Sequence, residues 1–494
     1  MQQAGDSSIA DMKSIPRLGV CLGLALLLAA CAGTPSSPPP AAPLARWSSP
    51  LPHGGDPAIL KDWWSRFDDP LLPRLVQQAQ AGSPVLAQAL ARIDQARALA
   101  RSARAAQWPG VSANASATDA HDPIAGDTRQ AGAGLSVAWE IDLFGARRAA
   151  ASAAEQRVQG SRLQWHDARV SLAAEVANTY VGLRACEALA AVYAQEAQSQ
   201  ATTAKLTREK VRAGFEAPSN GSLADAGAAD AANRLAGQRA ECAVVVQALV
   251  SLTGQPAQTL LPQLQTATAK LPQPAVLAVP EVPAQVLGQR PDLAAAQREL
   301  AAAAADIRGA RAERFPVLNL SGSIMAVVAR VAGAAVHGST WSIAPLASLP
   351  LFDAGRRAAN VDLASARYDE ARALYEQRAR QAVREVEEAL IRLDAAARRE
   401  ADAQRAADGY RAFFAAAESR WRIGAGSLLE MEEARRLSLS SQAALLAVKR
   451  DRVGAWIALY RATGGGWEAE KGSIQALNRP EQELSPGGKQ KKRN

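Results

Sequence analysis

The sequence is short of the side chains that usually carry chemistry. Its 494 residues include 4 cysteines and 4 histidines. His53, His121, His166 and His337 are scattered without metal-ligand spacing, so no metal site is expected. There is no phosphate loop, zinc-ligand helix or nucleophile elbow, and the glycine clusters at 132–134 and 464–466 fit no dinucleotide fingerprint. An enzyme is therefore the weakest reading, and no cofactor is expected. Aromatic residues make up only 5% of a chain that is 48% hydrophobic, with much of that alanine. Such a makeup suits long, closely packed helices better than a bulky interior. The formal charge of +8 is spread over interleaved acids and bases with no aromatic-basic cluster, which argues against nucleic acid as a partner. Only Lys489, Lys491, Lys492 and Arg493 concentrate charge, in a tail (468–494) whose glycine and proline predict disorder.

What is present begins with a targeting segment. Lys13 and Arg17 precede an apolar run at residues 18–30, too short to cross a bilayer as a helix but suited to a signal peptide. Its end, Leu28-Ala29-Ala30-Cys31, resembles the lipobox of bacterial lipoproteins. That resemblance implies cleavage after residue 30, a diacylglycerol on the Cys31 thiol and an acyl group on its new amine; the alternative is a buried cysteine in a discarded signal. Ala32 stands where an inner-membrane retention signal would place Asp, which implies sorting to the outer membrane. Met12 is as natural a start as Met1. Residues 31–60 read as a lipidated tether rich in Pro, Ser and Ala.

The rest is a tandem repeat. Leu143-Phe144-Gly145-Ala146-Arg147-Arg148 returns as Leu351-Phe352-Asp353-Ala354-Gly355-Arg356-Arg357. Three landmarks share an offset of about 207–210 residues: Pro109 with Pro316, Phe144 with Phe352, and Gly214 with Gly424. The expected units are a first repeat at 61–265, a proline-rich link at 266–289 with prolines spread over 260–283, and a second repeat at 290–467. In each repeat, short helices (70–81 and 84–107 in the first) lead to a strand hairpin. Val111, Ala113, Ala115 and Ala117 alternate with Ser112, Asn114, Ser116 and Thr118, and Leu135, Val137, Trp139 and Ile141 alternate with Ser136, Ala138, Glu140 and Asp142. The second hairpin sets Leu318, Leu320, Ile324, Ala326 and Val328 against Asn319, Ser321, Ser323 and Met325, then Trp341, Ile343, Ala347 and Leu349 against Ser342, Ala344 and Ser348, although Pro345 interrupts its last strand. Trp139 and Trp341 suit a membrane interface or plain packing.

Each hairpin feeds a proline-free run, 145–213 and 355–423, of about 69 residues; as helices these would span roughly 100 Å. Both runs end at glycine tips, Gly214 and Gly424, followed by returning helices at 222–253 and 427–463. Four strands cannot close a membrane barrel, for which the smallest number is about eight, so oligomerisation must supply the others.

Taken in order, Trp63-Trp64 with Phe67-Asp68, Trp139-Glu140-Ile141-Asp142-Leu143-Phe144-Gly145, Gln289-Arg290-Pro291-Asp292, Phe315-Pro316, Pro350-Leu351-Phe352-Asp353-Ala354-Gly355 and Gly464-Gly465-Gly466-Trp467 resemble the outer-membrane factors of tripartite efflux systems, the TolC-like superfamily. The similarity is greatest to the lipoprotein branch typified by OprM and the NodT group. It implies a homotrimer with a twelve-stranded β-barrel continuing into a twelve-helix periplasmic α-barrel. It also implies partners, a periplasmic adaptor (membrane-fusion) protein and an inner-membrane pump of the resistance-nodulation-division type, and a passive duct for drugs or other toxic molecules. The competing expectation is a periplasmic coiled-coil adaptor or scaffold lipoprotein, which would have one hairpin and no duplicated strands.

The resemblance assigns adaptor docking and gating to the tips, here Arg212, Gly214, Phe215, Arg422, Gly424 and Gly426; both glycines also serve as ordinary helix ends. Relatives often place an acid just after the second tip glycine. This chain has Ala425-Gly426 there, with Glu430, Glu432 and Glu433 farther on. Phe144, Gly145, Phe352 and Gly355 mark the strand-to-helix junctions, where Arg147-Arg148 and Arg356-Arg357 face either lipid phosphates or acids on neighbouring helices. Cys186 and Cys242 lie equally far from Gly214, on apolar stripes of two antiparallel helices. A disulfide is expected, the alternative being two buried free thiols.

Overall fold

Caps and glycines in the sequence punctuate the fold. The computed structural model describes residues 47–49, 63–64, 67–123, 126–272, 288, 290–331 and 334–465. The signal segment, Cys31, the tether apart from residues 47–49, His53, most of the link, Gln289 and everything from Gly466 onward lie outside the described residues. The Asp69 carboxylate accepts from the Leu71 amide at 2.9 Å and starts α1 (Leu71–Gly82). Ser83 accepts from the Leu86 amide at 3.3 Å and, with Pro84 in the first position, starts α2 (Pro84–Ala105). The chain then forms β1 (Gly110–Asp122) and β2 (Gly126–Ile141), followed by α3 (Ala146–Arg212) and α4 (Pro218–Thr253).

The second repeat follows the same order: α6 (Pro291–Ala312), β3 (Val317–Val331), β4 (Ala334–Ser348), α7 (Arg356–Arg422) and α8 (Leu428–Ala462). α3 and α7 are each 67 residues long, close to the proline-free runs that foretold them. Ahead of the expected link, α5 (Ala257–Leu264) forms with Pro262 inside the helix. Leu260 and Leu264, one turn apart, are both buried, and that burial outweighs the hydrogen bond the proline loses.

Among the described residues two helices, α3 and α7, run the full length of a rod, and the other two rods are assembled end to end. The start of α2 adjoins the end of α4, with the Thr253 carbonyl beside Gly82. The start of α6 adjoins the end of α8, where the Arg290 guanidinium donates to the Ala462 carbonyl at 3.0 Å. α3 packs on α2 and α6 along one part of its length and on α4 and α8 along the other, while α7 packs on α6 and then α8. Each level therefore holds four helices per chain, two continuous and two spliced.

The core sits at the splice. Trp63, Phe67, Leu72 and Leu75 pack there against Val176, Tyr180, Leu249, Leu390, Trp456 and Ile457. Tyr180 donates to Asp69 at 2.6 Å and accepts from Arg184 at 3.0 Å, and Arg184 reaches Glu187 at 2.8 Å. This buried chain of polar groups ties α1 to α3. Trp47 is buried in the same core, and the Ser48 and Ser49 amides donate to the Glu387 carboxylate at 2.6 and 3.0 Å.

Candidate channel wall and docking tips

The four strands form one antiparallel sheet in the order β1-β2-β3-β4, so the two hairpins join through β2 and β3. Successive side chains alternate between the faces. One face carries the rows Val111, Val137, Gly322, Ile343 and Ala113, Leu135, Ile324, Trp341. The other carries Ser112, Ser136, Ser323 and Ser342, with Asn114 donating to Ser136 at 2.7 Å and Ser323 bonded to Ser342 at 2.9 Å. On β2 the apolar face runs from Ile141 to Ala131 before the charged Arg129, about eleven residues, which is what a tilted strand needs to cross the hydrocarbon core. Polar-in, apolar-out alternation of this length suits a water-filled membrane barrel. Trp139 turns its indole N–H to the Gln107 carbonyl at 3.0 Å, whereas Trp341 is exposed. Pro345 lies on β4, an edge strand of the sheet, where a missing N–H is tolerated.

At the junctions, Gly145 and Gly355 take φ of +84° and +88°, the left-handed conformation that turns strand into helix. A carboxylate accompanies each turn. Asp142 accepts from the Arg147 and Arg148 amides at 3.2 and 2.8 Å, and Asp353 accepts from the Arg357 amide at 3.2 Å. Desolvation raises the Asp142 carboxyl, but the hydrogen bonds from Arg148 and Arg147 outweigh it and hold the group below its ordinary range. At the first junction the arginines have local partners. Arg147 pairs with Glu140 at 2.6 Å and Arg148 with Asp142 at 3.3 Å, acids of the preceding strand and turn and not of neighbouring helices. Phe144 stacks on Phe315, while Phe352 points outward.

Both tips close in the same way. Gly214 and Gly424 have φ of +75° and +79°, and the next amides, of Phe215 and Ala425, return to the Lys210 and Arg420 carbonyls at 2.9 Å. Arg212 ends α3, and Arg422 ends α7 while pairing with Glu418 at 2.9 Å. Gly426 leaves room for a close approach, since a Cβ there would meet Arg420 and the Trp421 amide at 3.2–3.3 Å. A groove of about 330 Å³ between the tips is lined by Leu206, Lys210, Phe215, Trp421 and Arg422, and Phe215 is 84% exposed. The three glutamates beyond the second tip are all engaged: Glu430 with Arg420, Glu432 with Arg435 and Glu433 with Arg436.

Residues that the sequence did not single out bind the hairpins together near the tips. Lys210 lies over the buried Trp421 ring at 4.6 Å. Arg435, almost wholly buried on α8, reaches Thr203 and Ser199 of α3 at 2.9 and 3.2 Å, and Gln200 donates to Glu432 at 2.7 Å. Burial raises the nearby Glu196 carboxyl although Arg234 and Arg435 oppose it. A visible signal was the charge of Arg435 on a helix face otherwise made of Leu428, Met431 and Ser438. Farther up the first hairpin, Cys186 and Cys242 are joined by a disulfide.

The comparisons agree with this geometry. A family profile described as outer membrane efflux protein matches residues 75–255 and 282–465. The outer membrane protein OprJ of Pseudomonas aeruginosa is 33% identical over 471 residues, covering 92% of this chain and 97% of OprJ. SrpC of Pseudomonas putida, named as a solvent efflux pump outer membrane protein, is 30% identical over 93% of this chain and 99% of its own length. Among solved structures, the outer-membrane channel OprN superposes with a TM-score of 0.80 at 29% identity, covering 88% of this chain and all of OprN. By its sequence and by the architecture of its sheet and hairpins, the chain belongs to the outer membrane efflux protein family.

Proposed function

We propose that three copies of this chain form a passive, gated duct across the outer membrane, the outer component of a tripartite efflux pump. The observation that carries this reading is the sheet itself: four strands with one polar and one apolar face and two unpaired edges, β1 and β4. Three such sheets give about twelve strands, within the range of membrane barrels, and four helices per chain at each level give a helical wall of matching count. The polar face lines the lumen and the apolar face meets lipid. Cys31 carries the anchoring lipid, and the repeats divide at the link of residues 266–289. The tips, with exposed Phe215 beside Arg212 and Arg422, dock a periplasmic adaptor that connects to an inner-membrane pump of the resistance-nodulation-division type. Transport energy comes from that pump, so this chain has no catalytic task. Relatives named for solvent and toluene efflux make toxic small molecules the class of cargo to test first.

The test is the mass of the outer-membrane protein in mild detergent, joined to its conductance in planar bilayers and to a growth-inhibition panel. A trimer that conducts, and a deletion strain hypersensitive to one class of toxic compound until the gene is restored, are expected. A monomer without conductance overturns the channel. The same panel with Cys31→Ser tests the anchor.

A further inference from the structure

Near the tips, α3, α4 and α8 meet around polar groups that their packing leaves incompletely paired. On α3, Glu196 and Gln200 are both more than nine-tenths buried and stand one helical turn apart on the same face. Glu196 Oε1 accepts from Arg234 of α4 at 2.7 Å, and Gln200 Nε2 donates to Glu432 of α8 at 2.7 Å. Glu432 accepts in turn from Arg435 at 2.5 Å, and Arg435 returns to Thr203 and Ser199 on α3. A relay thus runs from α4 through α3 to α8, and it breaks at one place. Glu196 Oε2 and Gln200 Oε1, both acceptors, are buried with no donor. α4 closes over them, for a Cβ at Gly227 would meet Gln200 Oε1 at 3.2 Å.

Two acceptors cannot bond to each other, and an unmade hydrogen bond on a buried polar atom is costly. A proton on Glu196 removes the conflict, because a neutral carboxyl has one hydrogen bond to donate. Charge points the same way. The ionisable groups facing Glu196 are Arg234 and Asp230 on α4 and Arg435 and Glu432 on α8, while α7 brings the Phe414 ring against Arg435. With Glu196 ionised, three carboxylates face two guanidiniums; one proton evens the balance. The guanidiniums at both ends of the relay disfavour a metal cation in the same place. Burial does most to raise the Glu196 carboxyl, Glu432 and Asp230 add to the rise, and Arg234 and Arg435 oppose it without cancelling it.

Building on the gated-channel reading, we infer that Glu196 carries a proton while the hairpins are tied, sharing it with the Gln200 amide oxygen, and that loss of this proton loosens the second hairpin from the first. On ionisation the proton passes to water, and Glu196 Oε2 becomes an acceptor that the Gln200 amide meets by turning over. The turned amide gives its N–H to Glu196 and presents its oxygen to the Glu432 carboxylate. A bond between α3 and α8 is then replaced by a repulsion. A carboxyl raised by folding contributes stability below its ordinary value and loses that contribution as the pH rises through the raised one. Acid therefore keeps the hairpins tied, and a rise in pH at the tips releases them.

The test uses full-length protein in membranes and two readouts. In the infrared difference spectrum between the unaltered protein and Glu196→Gln, the carbonyl stretch of a protonated carboxyl should be present at pH 4.5, assigned to Glu196 by its absence from the variant, and should fade as the pH rises. In planar bilayers the open fraction should rise over the same pH range in the unaltered protein and stay low and flat in Glu196→Gln, whose amide donates to Gln200 at every pH. Asp230→Asn, at an exposed position outside the relay, removes a charge that favours the proton and should shift both profiles to lower pH without changing their shape. A protonated-carboxyl band that Glu196→Gln leaves in place overturns the buried proton. An open fraction that is flat in the unaltered protein, or as pH-dependent in Glu196→Gln as without it, overturns the coupling to the tips. Protein that conducts at no pH would overturn the channel reading instead, with the proton still decided by the infrared band.

Discussion

Among single residues, Glu387 makes a pH-sensitive contact. Its carboxylate holds residues 47–49 against α7 through two amides and the Ser48 hydroxyl, which donates at 2.7 Å. Burial is the largest single influence and raises the carboxyl, but the hydrogen bonds from Ser49 and Ser48 together outweigh it and hold the group below the ordinary 4.5. A carboxyl depressed by folding contributes above its unfolded value and loses that contribution as the pH falls through the lower folded one. Hydrogen exchange at the Ser48 and Ser49 amides should therefore accelerate as the pH drops below 4.5, beyond the intrinsic trend. Glu387→Gln, which keeps an acceptor but cannot titrate there, should remove that acceleration; an unchanged profile in the variant would assign it to another group. Nothing in the sequence around Glu387 marks it, since its partners lie more than 300 residues upstream and the contact exists only once α7 is folded. By contrast, Gly145, Gly355, Gly214 and Gly424 were readable, because a glycine after a long periodic run is a local signal.

At the level of elements, the two hairpins are alike in length but fastened differently. Counting from the tip glycines, the positions of Cys186 and Cys242 in the first hairpin correspond to Ala396 and Arg452 in the second. At that level α8 is held to α7 by Arg452 and Glu400 at 2.7 Å, both partly exposed. Such a pair contributes at most about 1 kcal/mol, whereas a disulfide closing a loop of 56 residues contributes about 2–4 kcal/mol. Mature protein denatured without reductant should show no reactive thiol from Cys186 or Cys242; two would rule the bond out. The C186A/C242A protein should dissociate at a lower temperature, while Arg452→Gln should change that temperature little. Element identity was legible here because proline is absent from 145–213 and 355–423 and the strands carry a period-two pattern, strict in β1. What escaped was α5, where Pro262 reads as a breaker although Leu260 and Leu264 anchor the turn. The spliced rods escaped too, since the Arg290 to Ala462 contact joins helix ends that are remote in sequence.

For the whole molecule, the decisive contacts are those that cross between hairpins near the tips, because widening a duct there means parting α3 from α8. The polar ties there are Arg435 to Thr203 and Ser199, Gln200 to Glu432, and Lys210 over Trp421, beside an apolar cluster of Ala204 and Ala224 with Trp421, Leu428 and Met431. Arg435 is the central one, with its side chain almost wholly buried, its Nε unpaired and the Phe414 ring 5.2 Å away. Removing one partner of a buried pair costs up to about 3–5 kcal/mol, and less where the remaining charge can hydrate. Glu432 is partly exposed and keeps the Gln200 amide, so Arg435→Met should leave the proposed trimer intact while weakening the tie across hairpins. The expected outcome is a larger open fraction at a given voltage in planar bilayers than for the unaltered protein. Arg436→Gln supplies the contrast: Arg436 pairs with Glu433 one turn back on the same helix, both are exposed, and nothing links them to α3. Its conductance should match that of the unaltered protein. Equal open fractions for Arg435→Met and Arg436→Gln would show that the tie between hairpins does not limit opening, and would move the constraint to the contacts between subunits.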